Sequence, residues 1–138
     1  STIKNHDMLL ICDNLSIDVS KTILDLAKDV GIDKLMTSHP IASTLIDDLQ
    51  LMVNLGASIE LAFNDVMPPS PSITIDTICQ IIKEIGIDSC IATTRFGDVE
   101  LPPPAEGMRM FIACLLQKGF SEKDVSKLVE INPKKLIT

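Results

Sequence analysis

The chain has 138 residues and a formal net charge of −7, and 46% of its residues are hydrophobic although only 3% are aromatic. This length suits a single domain with its own core, so residues 1–138 are expected to form one unit. The acidic charge repels phosphate backbones, which argues against a nucleic-acid partner. No apolar run approaches the roughly 20 residues that cross a bilayer, and the first six residues lack the apolar core of a secretion signal. We therefore expect a cytoplasmic protein with no membrane partner.

Apolar periodicity divides the chain into four strand-then-helix units and one final helix. Short apolar runs bounded by turn residues predict strands, and apolar residues at three- and four-residue spacing predict helix faces. The predicted strands span residues 8–12, 34–38, 57–63 and 89–94. Two predicted helices span residues 18–30 and 42–55, a third begins near residue 72, and a fourth runs from the prolines at 102–104 to Gly119. The last helix begins at Ser121, and Asn132-Pro133 should break it.

Glycines mark the joints between these units. Three of the predicted helices end at Gly31, Gly56 and Gly86, where the residue after a helix often needs a positive φ. Alternating strands and helices with short connections predict a parallel sheet with right-handed crossovers. In such sheets the loops after the strand C-termini carry the functional groups.

The count of units predicts the fold class. We expect an α/β fold of four parallel strands and five helices, equivalent to half of an eight-stranded TIM barrel. Its outer strands would carry unpaired backbone groups, and exposed strand edges associate readily. Together with the apolar composition, these exposed edges predict a homo-oligomer that assembles through strand edges. Two copies that form one eight-stranded barrel are one possible form. The alternative is that the chain is a fragment of a longer barrel.

The four cysteines are expected to be reduced thiols. Cys12, Cys79, Cys90 and Cys114 each lie in an apolar strand or helix stretch, and none belongs to a Cys-x-x-Cys pair. Small buried thiols are a better interpretation of this pattern than disulfides. Neither a glycine-rich phosphate loop nor a Gly-x-Ser-x-Gly nucleophile motif occurs in the chain, which argues against nucleotide-binding and serine-hydrolase functions.

Four stretches carry a family resemblance that runs in order from residue 8 to residue 137. They are Thr37-Ser38-His39-Pro40, Gly56-Ala57-Ser58-Ile59-Glu60, Pro102-Pro103-Pro104-Ala105-Glu106-Gly107-Met108-Arg109-Met110-Phe111, and Asn132-Pro133-Lys134-Lys135-Leu136-Ile137. On these stretches the chain resembles the C-terminal half of amidohydrolase-like, metal-dependent hydrolases of the TIM-barrel kind. The resemblance is strongest to a group of uncharacterised bacterial and archaeal members.

The resemblance implies a metal site that this chain does not keep. In the family, histidines at the ends of strands five and six and an aspartate at the end of strand eight hold a divalent metal. Matched by resemblance, these positions fall at about Asn14, at His39 and at Arg95. Only His39 matches the pattern. Asparagine is a poor ligand for such a metal, and arginine remains cationic and would repel the ion.

Two functional hypotheses follow from these substitutions. The favoured one is an uncharacterised hydrolase-like protein with a degenerate metal site, which has no cofactor, is not catalytic in this form and acts as a binding or assembly unit. The alternative is a working metal-dependent hydrolase. Its zinc, manganese or nickel site would be rebuilt from His39, Asp13 and Glu60, or across a dimer. Neither hypothesis names a substrate or a small-molecule ligand.

The candidate pocket lies at the strand C-termini. Besides the candidate metal ligands His39 and Asp13, it comprises Asn14, Glu60, Asn64, Thr94 and Arg95. His39 and Asp13 also suit turns, and Glu60 within a strand is a buried carboxylate that needs a partner. Arg95, from the neighbouring strand, is the predicted partner of Glu60.

Overall fold

A computed structural model describes residues 2–38, 44–68 and 71–138 of the chain. Its strands are β1 (Leu10–Asp13), β2 (Leu35–Ser38), β3 (Ala57–Ala62) and β4 (Cys90–Thr93). Its α-helices are α1 (Thr2–Asn5), α2 (Ile17–Asp29), α3 (Ile46–Asn54), α4 (Ile75–Ile85), α5 (Pro104–Gln117), α6 (Glu122–Ser126) and α7 (Asn132–Ile137). Short 3-10 turns follow β3 and precede β4 (Phe63–Val66 and Ile87–Ser89), and a π-helical turn joins α6 to α7 (Lys127–Ile131).

The four strands form one parallel sheet in the order β1-β2-β3-β4. The register aligns Cys12, Thr37, Ile59 and Cys90 in one row across the sheet. The predicted α/β class with four parallel strands is therefore confirmed. When consecutive parallel strands are neighbours in both sequence and space, crossovers of one hand place the connecting helices on one face.

The face that carries the helices holds the hydrophobic core. The row of Cys12, Thr37, Ile59 and Cys90 is at most 1% exposed, and fully buried helix residues cover it, among them Leu24, Leu49, Ile78 and Phe111. The other face of the sheet is mixed. Glu60 and Ile91 are buried there, whereas Ile11 in β1 is 46% exposed. At β1 this second face is therefore open to solvent.

Hydroxyl side chains fix where two of the helices begin. The Thr74 Oγ1 atom accepts from the Thr77 N–H group at 3.2 Å, so α4 begins after Thr74 and not near residue 72 as predicted. Ser121 and Asp124 form a capping box at the start of α6, as the sequence predicts. Each cap gives a partner to N–H groups that the first helical turn leaves free.

The predicted glycine joints are confirmed. Gly31, Gly56 and Gly86, which follow α2, α3 and α4, have φ values of 72°, 96° and 90°. A residue with a Cβ atom is strained in this region, so glycine lets the chain turn from each helix toward the next strand. The three strand-to-strand crossovers thus depend on local backbone chemistry that is readable in the sequence.

The predicted break at Asn132-Pro133 is wrong, because the chain stays helical from α6 through the π turn into α7. The Asn132 N–H group donates to the Lys127 carbonyl oxygen, which is the wider hydrogen-bond spacing of a π turn. Pro133 then falls at the start of α7, where a missing N–H group leaves no helical hydrogen bond unmade. A π turn placed before the proline lets the helix continue.

Residues 39–43 and 69–70 lie outside the described residues, so the predicted start of the second helix at residue 42 and two positions of the proline-containing segment at residues 67–71 are outside them too. All four cysteines are free thiols, as predicted, and Cys114 is the one that is only partly buried. Burial raises the pKa of the Cys90 thiol to about 12.

In the described part of the chain, no helix has both the length and the apolar character that spanning a bilayer would need.

Candidate functional site

A guanidinium group bridges two carboxylates at the carboxyl end of the sheet. The Arg95 Nη2 atom donates to Asp13 Oδ1 at 2.8 Å, and Arg95 Nε lies 3.8 Å from Glu60 Oε2. Asp13 ends β1, Glu60 lies in β3, and Arg95 follows β4. The fold therefore brings together side chains from three strands, and we call Asp13, Glu60 and Arg95 the Arg95 cluster.

Glu60 is the buried member of the Arg95 cluster, with 8% of its surface exposed. The Thr93 Oγ1 atom donates to Glu60 Oε1 at 2.8 Å, and the Ser38 hydroxyl donates to Oε2. Two hydroxyls and a nearby guanidinium thus offset the cost of removing this carboxylate from water. The predicted pairing of Glu60 with Arg95 is confirmed, and Glu60 lies on the sheet face opposite the core row.

The charges of the cluster and of nearby Asp65 act on each other. Burial lowers the pKa of Arg95, but the hydrogen bond to Asp13 and the charges of Glu60, Asp13 and Asp65 together raise it above its usual value. Burial raises the pKa of Asp65, which the charge of Arg95 lowers and that of Glu60 raises. One fixed cation thus lies among three carboxylates, so an incoming anion would meet a net negative site.

The residues that follow the two outer strands have an uncommon backbone conformation. Asn14 after β1 and Arg95 after β4 have φ values of 52° and 50°. This left-handed region costs a residue with a Cβ atom roughly 1 kcal/mol, although asparagine tolerates it better than most residues. For Arg95 the ion pairs with Asp13 and Glu60 offset this cost, so tertiary contacts override the local preference.

Aromatic packing holds the loop that carries Arg95. The ring of Phe63 stacks on Phe111 at a centroid distance of 4.8 Å and on Phe96 at 6.0 Å. Gly107 in α5 lies directly against Phe96, because a Cβ atom at residue 107 would overlap that ring. The close approach of α5 to Phe96 therefore packs the residue next to Arg95 against the core.

An open pocket of about 310 Å³ lies beside the Arg95 cluster, between the loops that follow β3 and β4. Its lining is mostly polar and comprises Asn64, Asp65, Met67, Pro68, Ser72, Asp98, Glu100 and Leu101. Three of these side chains are carboxylates, and none of the described residues that line the pocket is a lysine or an arginine. This charge makes the pocket unfavourable for phosphate and other anions.

The remaining predicted pocket residues mainly hold the loops in place. The Asn14 N–H group donates to the Ser38 carbonyl at 3.4 Å, and the Asn64 N–H group donates to the Thr94 carbonyl at 3.0 Å. Thr94 is buried, and its Oγ1 atom accepts from the Phe96 N–H group at 3.3 Å. Asn64 is the one of these predicted residues that also lines the pocket.

The described residues at this position do not fit a divalent metal. Asp13 and Glu60 both contact Arg95, and a metal placed between them would meet a fixed positive charge. Nowhere in the described part of the chain do three His, Cys, Asp or Glu side chains form a group that could hold an ion. His39 lies outside the described residues, so its assignment as a metal ligand stays a prediction.

Sequence reasoning missed the two hydroxyl donors to Glu60, Ser38 and Thr93. Both end strands that flank β3. The available signal is the two-residue alternation of a strand, which places Thr93 on the same face as Ile91, the register partner of Glu60. A hydroxyl residue that ends a neighbouring strand, on the same face as a buried carboxylate, is the pattern that would have identified Ser38 and Thr93.

Comparison with models of protein families gave no match, and comparison with curated proteins also gave none. The likeness to amidohydrolase-like hydrolases therefore remains a resemblance carried by four short stretches. What the chain does has to be argued from the Arg95 cluster and the surfaces around it.

Proposed function

We propose that the chain is a hydrolase-like unit, built as half of a TIM barrel, that acts by binding or assembly and not by metal-assisted hydrolysis. The observation that carries the proposal is the position of Arg95. Its guanidinium lies 2.8 Å from Asp13 and 3.8 Å from Glu60, the two carboxylates that a rebuilt metal site would need. A fixed cation thus lies between the two carboxylates, which supports a site without a metal.

The topology and one long-range contact support the half-barrel part of the proposal. Sequential order of four parallel strands is the order found in a TIM barrel. In a flat sheet the outer strands β1 and β4 would lie about 14 Å apart, three strand spacings. The contact between Asp13 and Arg95 across that distance favours a sheet that curves toward the face bearing Glu60.

The chemistry of the cluster supports the absence of hydrolysis in this form. Metal-assisted hydrolysis needs an ion with an open coordination position and a group that accepts a proton from water. Arginine offers only donors and does not release its proton. The carboxylates of Asp13 and Glu60 already accept hydrogen bonds or face the guanidinium. The Arg95 cluster therefore joins the ends of three strands without supplying a base.

A working hydrolase is the second candidate, and the convergence of Asp13 and Glu60 on one guanidinium favours it. If Arg95 turned away, the two carboxylates would face the same point and could act as ligands together with His39 or with groups from a second chain. Zinc, manganese or nickel would be the ion. The two candidates therefore differ in whether Arg95 or a metal occupies that point.

Metal analysis of protein purified without chelators separates the two candidates. We expect fewer than about 0.1 equivalents of zinc, manganese or nickel per chain, since the guanidinium repels the ion. His39→Ala should leave this value unchanged. Arg95→Ala should increase metal uptake from added zinc, whereas Arg109→Ala, the same change of charge on the exposed side of α5, should not. Near-stoichiometric metal that is lost in His39→Ala would overturn the proposal.

A further inference from the structure

Two of the four thiols lie on the helices that follow β3 and β4. Cys79 belongs to α4 and is 5% exposed, whereas Cys114 belongs to α5 and is only partly buried. The other two, Cys12 and Cys90, lie in the outer strands β1 and β4, at opposite edges of the sheet. Whether Cys79 can reach Cys114 depends on how α4 lies against α5.

Two lysine side chains fix how α4 lies against α5. Lys118, which directly follows α5, places its Nζ atom 2.6 Å from Oδ1 of Asp76 in the first turn of α4. Near the other end of α4, Lys83 Nζ lies 6.0 Å from the ring centroid of Phe120. Residue numbers increase in both helices from the first contact to the second, so α4 and α5 run side by side in the same direction.

The same contacts place both thiols between the two helices. Asp76, Cys79 and Lys83 recur at spacings of three and four residues, so they share the flank of α4 that faces α5. Cys114 precedes Lys118 by four residues, so these two share the flank of α5 that faces α4. Cys79 and Cys114 therefore lie on facing flanks.

The two thiols also lie at the same height along the helices. Side chains of a helix tilt toward its N-terminus, so the Lys118 ammonium group lies about one turn back along α5, level with Cys114. Cys79 lies less than one turn beyond Asp76, the residue that this ammonium group contacts. The ion pair therefore marks one level that both cysteines share.

The electrostatics of Cys79 agree with this placement. Burial raises the pKa of the Cys79 thiol, and the charge of Asp76 adds to this effect. The ammonium groups of Lys118 and Lys83 lower the pKa of Cys79, and Cys114 raises it. Since charges act on each other mainly within about 10 Å, Cys114 lies near Cys79.

Helix packing allows a covalent bond between the two sulfur atoms. The axes of neighbouring helices lie about 8–10 Å apart, and their Cα atoms lie about 2.3 Å from the axes, which leaves roughly 4–6 Å between facing Cα atoms. A disulfide joins Cα atoms that are about 4.4–6.8 Å apart. Facing cysteines at one level of α4 and α5 meet this condition.

We propose that Cys79 and Cys114 form an oxidation-sensitive dithiol, which hydrogen peroxide converts into a reversible disulfide that joins α4 to α5. Cys114 is the more accessible thiol, so it meets the oxidant first. Its thiolate sulfur bonds to one peroxide oxygen, the O–O bond breaks, and hydroxide leaves as water with the thiol proton. Cys79 then attacks the sulfenic acid, the S–S bond forms, and a second water leaves with the proton of Cys79.

This inference goes beyond the proposed function and does not depend on the Arg95 cluster. It does concern the open pocket next to that cluster. The loop that carries Asn64 and Ser72 leads into α4, and the loop that carries Asp98 and Leu101 leads into α5. A disulfide between the two helices therefore links the two walls of the pocket.

The test treats the folded, reduced chain with hydrogen peroxide, blocks the remaining thiols with iodoacetamide and analyses tryptic peptides by mass spectrometry. Lysine and arginine residues separate the four cysteines, so each lies on its own peptide. We expect a cross-link between the peptides of Cys79 and Cys114, the loss of two hydrogen atoms from the chain, and recovery of all four thiols with dithiothreitol. In urea, where the helices are unfolded, peroxide should give a mixture of pairings.

Single substitutions identify the role of each thiol. Cys114→Ser should abolish the cross-link. Cys79→Ser should abolish it too, but it should leave Cys114 as a sulfenic acid that dimedone traps. Cys12→Ala is the matched control, because it removes a thiol that is 1% exposed in β1 and should keep the cross-link. If Cys79→Ser does not fold, Cys79→Ala replaces it.

A folded chain that keeps four free thiols in peroxide overturns the proposal. So does a cross-link that joins other cysteines or two chains, and so does the same mixture of pairings in the folded chain and in urea. The position of the bond is thus read directly from the peptides, whatever the metal content of the chain is.

Discussion

Replacing Arg95 with alanine tests whether the Arg95 cluster stabilises the fold. The change removes the hydrogen bond to Asp13 and leaves buried Glu60 with only the hydroxyl groups of Ser38 and Thr93. Breaking a buried ion pair by removing one partner costs about 3–5 kcal/mol. Here the side chains of Arg95 and Asp13 are 35% and 41% exposed. Since solvent screens partly exposed pairs, we expect Arg95→Ala to lower the free energy of unfolding by about 2 kcal/mol.

The assay is urea unfolding followed by far-ultraviolet circular dichroism, because the chain has no tryptophan or tyrosine for fluorescence. Arg109→Ala is the control. It removes the same charge from a side chain that is 78% exposed, whose Nη1 atom lies 3.7 Å from Glu106 Oε1. An exposed pair of this kind contributes little, so the control should unfold at the wild-type urea concentration.

A double-mutant cycle identifies the cause of the loss. Glu60→Gln removes the buried charge but keeps the shape and the acceptor oxygen, so it should restore part of the stability that Arg95→Ala loses. We expect the two changes to be non-additive by about 1–2 kcal/mol, as is usual for residues in contact. If Arg95→Ala unfolds at the same urea concentration as the Arg109→Ala control, the Arg95 cluster does not stabilise the fold. If the effects of Glu60→Gln and Arg95→Ala simply add, the loss does not come from the buried charge of Glu60.

Three further predictions use the same urea assay. Gly107→Ala forces a methyl group into the ring of Phe96 and should lower the free energy of unfolding by about 2 kcal/mol. Gly97→Ala should leave it almost unchanged, because no atom lies within 4 Å of a Cβ atom at that position. Equal losses in the two variants would contradict the close approach of α5 to Phe96. Asn132→Leu removes two 2.8 Å hydrogen bonds, to the carbonyl groups of Ile87 and Cys90. We expect it to lower the free energy of unfolding by about 2 kcal/mol. An unchanged free energy of unfolding would mean that those carbonyls find other partners. Because burial raises the pKa of Cys90 from 9.0 to about 12, the folded state keeps this proton. The contribution of this proton to the free energy of unfolding is complete below pH 9.0. Above that pH it declines by up to about 1.4 kcal/mol per pH unit. Cys90→Ala should flatten this alkaline decline, and an unchanged slope would contradict the assignment.

The secondary structure of this chain could be predicted because its signals are local. Apolar runs mark the four strands, and glycines with positive φ follow three of the helices at Gly31, Gly56 and Gly86. The capping box at Ser121 acts within one turn of the chain. The exceptions are α1, which no pattern predicts, the start of α4, and Asn132-Pro133, where a π turn lets the helix continue past a proline. Whether such a turn forms depends on packing against β4, which no local pattern contains.

The candidate site could be predicted only in part. Strand order and alternation indicate that Glu60 and Arg95 come from neighbouring strands, and their pairing follows because a buried carboxylate needs a cation or donors. The contact of Arg95 with Asp13, by contrast, joins residues that are 82 positions apart and belong to the two outer strands. It depends on how far the sheet curves and on the left-handed backbone at Arg95, which are properties of the assembled sheet.

The amino-acid sequence by itself determined the number and order of the strands and of the helices that connect them, because hydrogen bonds within helices, glycine conformations and apolar periodicity act over a few residues. It predicts five helices, whereas the described part of the chain forms seven α-helices, because α1 and α7 are not predicted as separate helices. Only the tertiary structure decided which charged groups meet and which apolar side chains stay uncovered. Those outcomes depend on distances between strands that are remote in the chain, and a side chain such as Leu26 has the same sequence pattern whether or not another helix packs on it.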